Sequence, residues 1–239
     1  MAFTDRIKSE EFSKMPSEYQ DLLKRVLTIQ ADCEIGGPMV YAERWMLHGP
    51  SANDMWRVAR IVAEEIDHFR KFARVLGQIG VDVSPLLRRD SSRRMVSTFR
   101  EKDPPTWADV AAFCALIDRV GRYQVEEFID SSYQPLDSIL EPIMREEIGH
   151  IAFGEQKLRE LCETPKGQAE AQAAVDRWLP RGLDMFGRSG SRRSERYLYW
   201  GLKRRANDEA RQQYLGEVTR LIRGVGLGVP DPEANRSFL

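Results

Sequence analysis

Two copies of one four-residue pattern, Glu65-Ile66-Asp67-His68 and Glu147-Ile148-Gly149-His150, constrain this chain more than any other feature of its 239 residues. On a helix, residues three apart share a face, so each copy offers a carboxylate and an imidazole to one cation. The chain has three histidines, and the two copies use two of them. A single Glu-x-x-His is more often a half-buried histidine beside an acid. Two copies on two long helices point to a metal site instead. The zinc-protease order His-Glu-x-x-His is missing, as are paired zinc-ribbon cysteines.

The rest of the chain reads as helix, with almost no alternating strand pattern. The sequence predicts helices over about 17–34, ending at the breaker Gly36-Gly37-Pro38, and over 51–80, opened by Ser51 with Asp54 three residues on. Residues 81–105 are polar, basic and proline-bearing and read as a connection. A third helix starts at Thr106-Trp107-Ala108-Asp109 and reaches about 131. A fourth starts at Ser138, with Pro142 tolerated in its first turn. Further helices follow from Thr164-Pro165 to about 187, over 194–205 and over 207–224. The expected organisation is one all-α unit over 1–239, with a four-helix bundle at about 17–162 and a helical extension at about 163–232.

A bundle that holds two metals among carboxylates needs one more acid from each partner helix. Glu34 lies 31 residues before Glu65, on an otherwise fairly apolar stretch. The second hairpin should show a similar separation. Asp118 lies 29 residues before Glu147, whereas Glu126 and Glu127 lie 21 and 20 before it. At about 1.5 Å of rise per residue, an error of about eight residues lifts a carboxylate about 12 Å out of the layer. Asp118 also sits among Phe113, Leu116, Ile117 and Val120, where an unpaired acid is costly. The competing role for Asp118 is a solvated acid paired with Arg122. The candidate ligands are therefore Glu34, Glu65, His68, Asp118, Glu147 and His150. Oxygen plus imidazole suits iron or manganese.

Composition narrows the partners. Hydrophobic residues make up 42% and the formal net charge is −1, which favours neither nucleic acid nor a membrane surface. No apolar run is long enough to span a bilayer, and the first residues carry no secretion signal. Three cysteines without CxxC spacing fit reduced thiols and a cytoplasmic location. Basic residues cluster at 88–94 and 192–205. The second cluster is read as a phosphate-facing surface or as a face paired with Glu195, Asp208 and Glu209.

The stretches Cys33-Glu34-Ile35-Gly36, Glu64-Glu65-Ile66-Asp67-His68, Thr106-Trp107-Ala108-Asp109-Val110 and Glu146-Glu147-Ile148-Gly149-His150 carry a resemblance. So do Met185-Phe186-Gly187, 203–209 and Val229-Pro230-Asp231-Pro232. Together they resemble the catalytic subunit of the ring-1,2-phenylacetyl-CoA epoxidase, a multicomponent bacterial di-iron monooxygenase, from about Tyr19 to Pro232. The resemblance implies a ferritin-like bundle with two irons, and it places the third-helix aspartate at Asp118. It implies oxygen as co-substrate, insertion of one oxygen atom into an aromatic or unsaturated acyl-CoA thioester, and a separate flavin/iron-sulfur reductase. A ferritin-like partner subunit or a second copy of the chain is the expected assembly. Two positions depart from the family. Its lysine four residues before the second-helix glutamate is Ile61 here, and an asparagine six residues after the aspartate is Gln124. The family chain also continues beyond the Val-Pro-Asp-Pro stretch, while this one stops at Leu239. Ile61 and Gln124 are accordingly expected to line the substrate pocket, with a more apolar wall that disfavours phenylacetyl-CoA. The alternatives are a ferritin-like iron or manganese protein, a hydroxylase of a modified tRNA base, and, ranked last because all six ligand positions are filled, a non-catalytic paralogue.

Overall fold

A computed structural model describes residues 3–100 and 106–237. Among the described residues the regular structure is helical. The pairing of extended backbone is confined to an isolated bridge between Ile7 and Tyr133.

Helix α1 (Ser17–Val40) does not stop at the glycines, as its sequence suggests. It runs through Gly36-Gly37-Pro38 and opens into a π turn, Tyr41–Trp45. Gly36 serves a close approach instead of a break: a Cβ there would stand 2.8 Å from the Phe99 ring. Pro38 has no N–H to give to the preceding turn, and the chain tolerates this just before the helix widens. Helix α2 (Ala52–Gly77) starts as expected, with the Ser51 hydroxyl accepting the Asp54 N–H at 3.1 Å. It stops three residues before Gly80, whose φ of +74° suits glycine. The connection holds short 3-10 turns at Ser84–Arg88, Ser91–Arg93 and Ser97–Arg100. Buried Arg94 pins it to α1 through an ion pair of 3.1 Å with Asp32.

The third long helix is interrupted. It comprises α3 (Trp107–Ala112), a π turn at Phe113–Ile117, and α4 (Asp118–Glu126). Thr106 and Asp109 close a reciprocal capping box at its start. Helix α5 (Asp137–Leu161) carries Pro142 near its first turn. Helix α6 (Pro165–Met185), capped by Thr164, packs on α3, α5 and the second π turn. Helix α7 (Arg192–Tyr199) is shorter than expected, because Gly201 turns the chain at φ +61°. Helix α8 (Asn207–Gly224) lies on α4.

Helices α1 and α2 form one hairpin of the bundle, and α4 and α5 the other. The apolar core falls into two clusters. One gathers Tyr41, Val58, Ile61, Phe113, Phe153 and Trp178. The other gathers Leu23, Leu27, Phe72, Phe128, Ile139 and Ile143. Burial of each such side chain is worth about 1.5–3 kcal/mol. Along α1, α2 and α5, Glu34, Glu65, His68, Glu147 and His150 fall between one cluster and the other. A polar layer thus crosses the bundle between two apolar blocks. No helix among the described residues is long and apolar enough to cross a membrane.

Candidate metal centre

Helical periodicity delivers the two Glu-x-x-His pairs to the bundle interior, where His68 and His150 are fully buried. Glu34 from α1 and Asp118 from the start of α4 meet them there, and both are buried. The π turn just before Asp118 adds a residue to that turn of helix, and so sets which way Asp118 faces. Gly154 of α5 makes room for it, since a Cβ at that position would stand 2.3 Å from the Ala115 nitrogen.

The six side chains converge as two overlapping groups. Ligand atoms of Glu34, Glu65, His68 and Glu147 lie within 4.8 Å of one another, and so do those of Glu65, Asp118 and His150. The His68 Nδ1 is 3.3 Å from Glu34 and 3.6 Å from Glu147 Oε1. The His150 Nδ1 is 3.2 Å from Glu65 and 3.8 Å from Glu147 Oε2. Glu147 therefore turns one oxygen to each imidazole, and Glu65 belongs to both groups. Arg122 does not neutralise Asp118, because it is held by Glu217 at 2.9 Å. Glu126 pairs with Arg205 at 3.2 Å, away from this layer.

The outer nitrogens are held crosswise. Glu146, on α5, meets the Nε2 of His68 at 2.8 Å, and Glu64, on α2, meets the Nε2 of His150 at 2.9 Å. These two acids have no role in the ligand spacing. The doubled glutamate in both Glu-Glu-x-x-His copies was their sequence signal. A carboxylate on the outer nitrogen orients the ring and turns the inner nitrogen toward a cation. Tyr41 donates to Asp118 Oδ2 at 2.8 Å, and Gln30 donates to Glu34 Oε1 at 2.5 Å.

The charged groups of the layer shift one another. Burial, reinforced by Glu147, pushes Glu65 up to about 7, and burial with Glu65 nearby raises Asp118 well above the usual carboxylate range. Burial opposes charge on the imidazoles, yet the carboxylates of Glu147 and Glu34 beside it pull His68 up to about 12. Glu64 and Glu65 likewise pull His150 up to about 10. The hydrogen bond to His150 holds Glu64 down to about 2. Buried polar atoms of native proteins nearly always find partners. Here His68 Nδ1, His150 Nδ1 and Glu147 Oε2 are buried and make no hydrogen bond, only the ion-pair approaches of 3.2–3.8 Å. The residues present therefore fit a pair of oxygen- and nitrogen-ligated cations.

A small cavity of about 30 Å³, room for one water, touches Glu34, Glu65, Asp118 and Glu147 and is walled by Phe113 and Gly121. Gln30, Gln124 and Met185 line both this cavity and an open groove of about 400 Å³. The groove is apolar at Val26, Ile29 and Phe128, and basic at Arg25, Arg188, Arg193 and Lys203. Gln124 thus stands between groove and site. Ile61 lines neither cavity: it is fully buried in the apolar cluster that includes Tyr41, Trp45 and Val58. One helical turn before Glu65, it meets core instead of open space. The expectation that it forms the pocket wall is corrected accordingly. The second basic stretch is partly consumed by ion pairs, of Arg196 with Glu18 and of Arg205 with Glu127 and Glu126.

Comparison with known proteins agrees with this fold. The fold is similar to that of an R2-like ligand-binding oxidase from Sulfolobus acidocaldarius, with a TM-score of 0.57 and 15% identity, covering 96% of this chain and 85% of that one. The architecture is that of the ferritin-like helical bundles. A family described as phenylacetic acid catabolic protein matches residues 4–237. Over 223 residues the chain is 26% identical to one of the subunits of 1,2-phenylacetyl-CoA epoxidase of Escherichia coli (strain K12), a match that spans 92% of this chain and 72% of that protein. It is also 26% identical over 180 residues to benzoyl-CoA oxygenase component B of Aromatoleum evansii, spanning 70% of this chain and 37% of that protein. Bundle and polar layer together define a ferritin-like helical protein with a candidate metal centre. The chain belongs to the phenylacetic acid catabolic protein family.

Proposed function

We propose that this chain is an oxygen-dependent monooxygenase subunit that inserts one oxygen atom into the acyl group of a CoA thioester. Glu34, Glu65, His68, Asp118, Glu147 and His150 would hold two irons, with manganese as the competing occupant. Reduced iron, when bound, supplies the activation of oxygen. The observation that carries this reading is the set of buried atoms that make no hydrogen bond, His68 Nδ1, His150 Nδ1 and Glu147 Oε2, inside a ring of buried carboxylates. Such a ring is costly without cations and favourable with them.

The chain's own groups do the rest. Glu64 and Glu146 fix the two rings, and Gln30 and Tyr41 fix the outlying carboxylates. Phe113, Ile117 and Phe99 wall the cavity and keep bulk water from the reacting atoms. The basic rim of the groove suits the phosphates of a CoA carrier, and its apolar floor suits the acyl arm. Gln124 and Met185 stand where that arm would enter the site. Gln124 donates to the Met185 carbonyl at 3.2 Å, while its Oε1 is buried without a partner, so it has an acceptor free for the substrate. The electrons come from a separate flavin/iron-sulfur reductase, and a ferritin-like partner subunit or a second copy completes the assembly.

The test is an assay of iron-loaded protein with a surrogate reductase against a panel of acyl-CoA thioesters, with product mass read in ¹⁸O-labelled oxygen. Incorporation of one labelled atom into a thioester is expected. Turnover of a free acid or an RNA base, with every thioester inert, would overturn the CoA assignment.

A further inference from the structure

A run of oxidisable rings leads out of the polar layer. Tyr41 is fully buried and donates to Asp118 at 2.8 Å, and its oxygen lies 3.2 Å from Cys114 Sγ. Its ring meets Trp45 edge-on, with centroids 5.4 Å apart. Trp45 meets Trp178 in the same way, at 5.6 Å. The Trp178 indole N–H donates to Asp109 at 2.9 Å. Asp109 pairs with Arg177, whose side chain is 30% exposed. Phe113 touches all three rings, at 4.9–5.2 Å from each, and cannot share their chemistry, because a phenyl ring is far harder to oxidise than a phenol or an indole.

We propose that Tyr41, Trp45 and Trp178 form a hole-transfer path that drains oxidising equivalents from the metal centre to the surface beside Asp109 and Arg177 when oxygen is reduced there without substrate. The proposal rests on the reading of the layer as an oxygen-reducing metal centre. Contact between successive rings favours short single-electron hops over one long jump. Both ends of the path have a hydrogen-bond acceptor, Asp118 and Asp109. Tyr41 gives an electron to the centre, which is reduced by one electron, while its proton shifts along the hydrogen bond it already makes. Trp45 refills Tyr41 and the proton returns. Trp178 refills Trp45, with Asp109 placed to accept the indole proton. A surface reductant such as ascorbate or a thiol then supplies the last electron. Only a strongly oxidising centre draws electrons through phenol and indole side chains. The path therefore suits disposal of a misfired oxidation and does not suit delivery of low-potential electrons from a reductase. Packing alone asks only for aromatic bulk at these positions, and phenylalanine supplies that.

Two measurements test the path. In metal-free protein carrying Cys162→Ser and Ala173→Cys, a ruthenium photo-oxidant is attached to the thiol introduced on α6 and flashed with an electron acceptor present; Ala173 is exposed on α6, five residues before Trp178. A tyrosyl absorption should form, and it should be replaced by a tryptophanyl one in Tyr41→Phe. Trp45→Phe should stop the hole at Trp178. An unchanged tyrosyl yield in Trp45→Phe would overturn the path. In iron-loaded protein under oxygen without organic substrate, peptide mass spectrometry should find faster oxygenation of Phe113 and Met185 in Trp45→Phe than in the unmodified chain. Equal rates would overturn the protective role even if the flash experiment succeeds. Failure of the protein to load iron would instead strike the metal reading, and the flash experiment would still decide the path.

Discussion

At the scale of single residues, the crosswise carboxylates matter as much as the inner ones. Glu64 and Glu146 each hold the ring that belongs to the other helix, so the two hairpins are tied through the imidazoles. Glu64→Ala or Glu146→Ala should weaken metal affinity by about 10–100-fold, with the helix content unchanged. Competitive titration against a chelator checks this, and unaltered affinity would assign both acids to surface charge. A second expectation follows from the protons. Without cations His68 and His150 are pulled up to about 12 and about 10, so both are charged at neutral pH. Metal ligation needs the neutral imidazole, so loading must release protons, and affinity should rise with pH below those values. Calorimetry in buffers of different ionisation enthalpy reads this release directly, and heats independent of buffer would contradict it. The convergence of the six side chains was legible because spacing and residue type are both sequence properties. Ile61 was misplaced because helical spacing gives a residue's height and face but not which face meets open space. Only the packing of α1, α4 and α6 puts the cavity beside Gln124.

At the scale of elements, two π turns shape the site, one after Glu34 and one just before Asp118. Hydrophobic periodicity averages over several turns, so a single inserted residue leaves little trace in it. The glycines that accommodate such turns are just as ambiguous in sequence. Gly36 and Gly37 read as a stop, yet Gly36 makes room for Phe99 and the helix continues. Gly154 is the sharpest case. A Cβ there would also stand 2.6 Å from Cys114 Cβ and 2.8 Å from the Ala111 carbonyl oxygen, and atoms on or next to the helix backbone have nowhere to go. Gly154→Ala should cost about 1–3 kcal/mol through overpacking and should loosen Asp118 as well. Gly77→Ala is the control. Nothing lies within 4 Å of its added methyl, and at the end of α2 it should be neutral or gain up to about 1 kcal/mol. Thermal melts of the two variants compare them, and equal melting temperatures would deny the close contact its importance.

At the scale of the whole molecule, the helix order and the two hairpins were readable from caps and breakers, among them Ser51, Thr106 and Thr164, each of which caps the helix it was expected to open. The groove was not readable. Its walls come from α1, α4, α6, α7 and the turns between them, and no local pattern brings Arg25 to Arg193 and Lys203. Everything proposed for function depends on the polar layer holding two cations. The direct measurement is metal content by elemental analysis after anaerobic loading with ferrous salt, in the unmodified chain, in Asp118→Ala and in Glu126→Ala. Two ions per chain are expected in the first and third, matching the two converging groups, with at least one ion lost in Asp118→Ala. No more than one ion in the fully loaded unmodified chain, or loss of metal in Glu126→Ala but not in Asp118→Ala, would contradict the account.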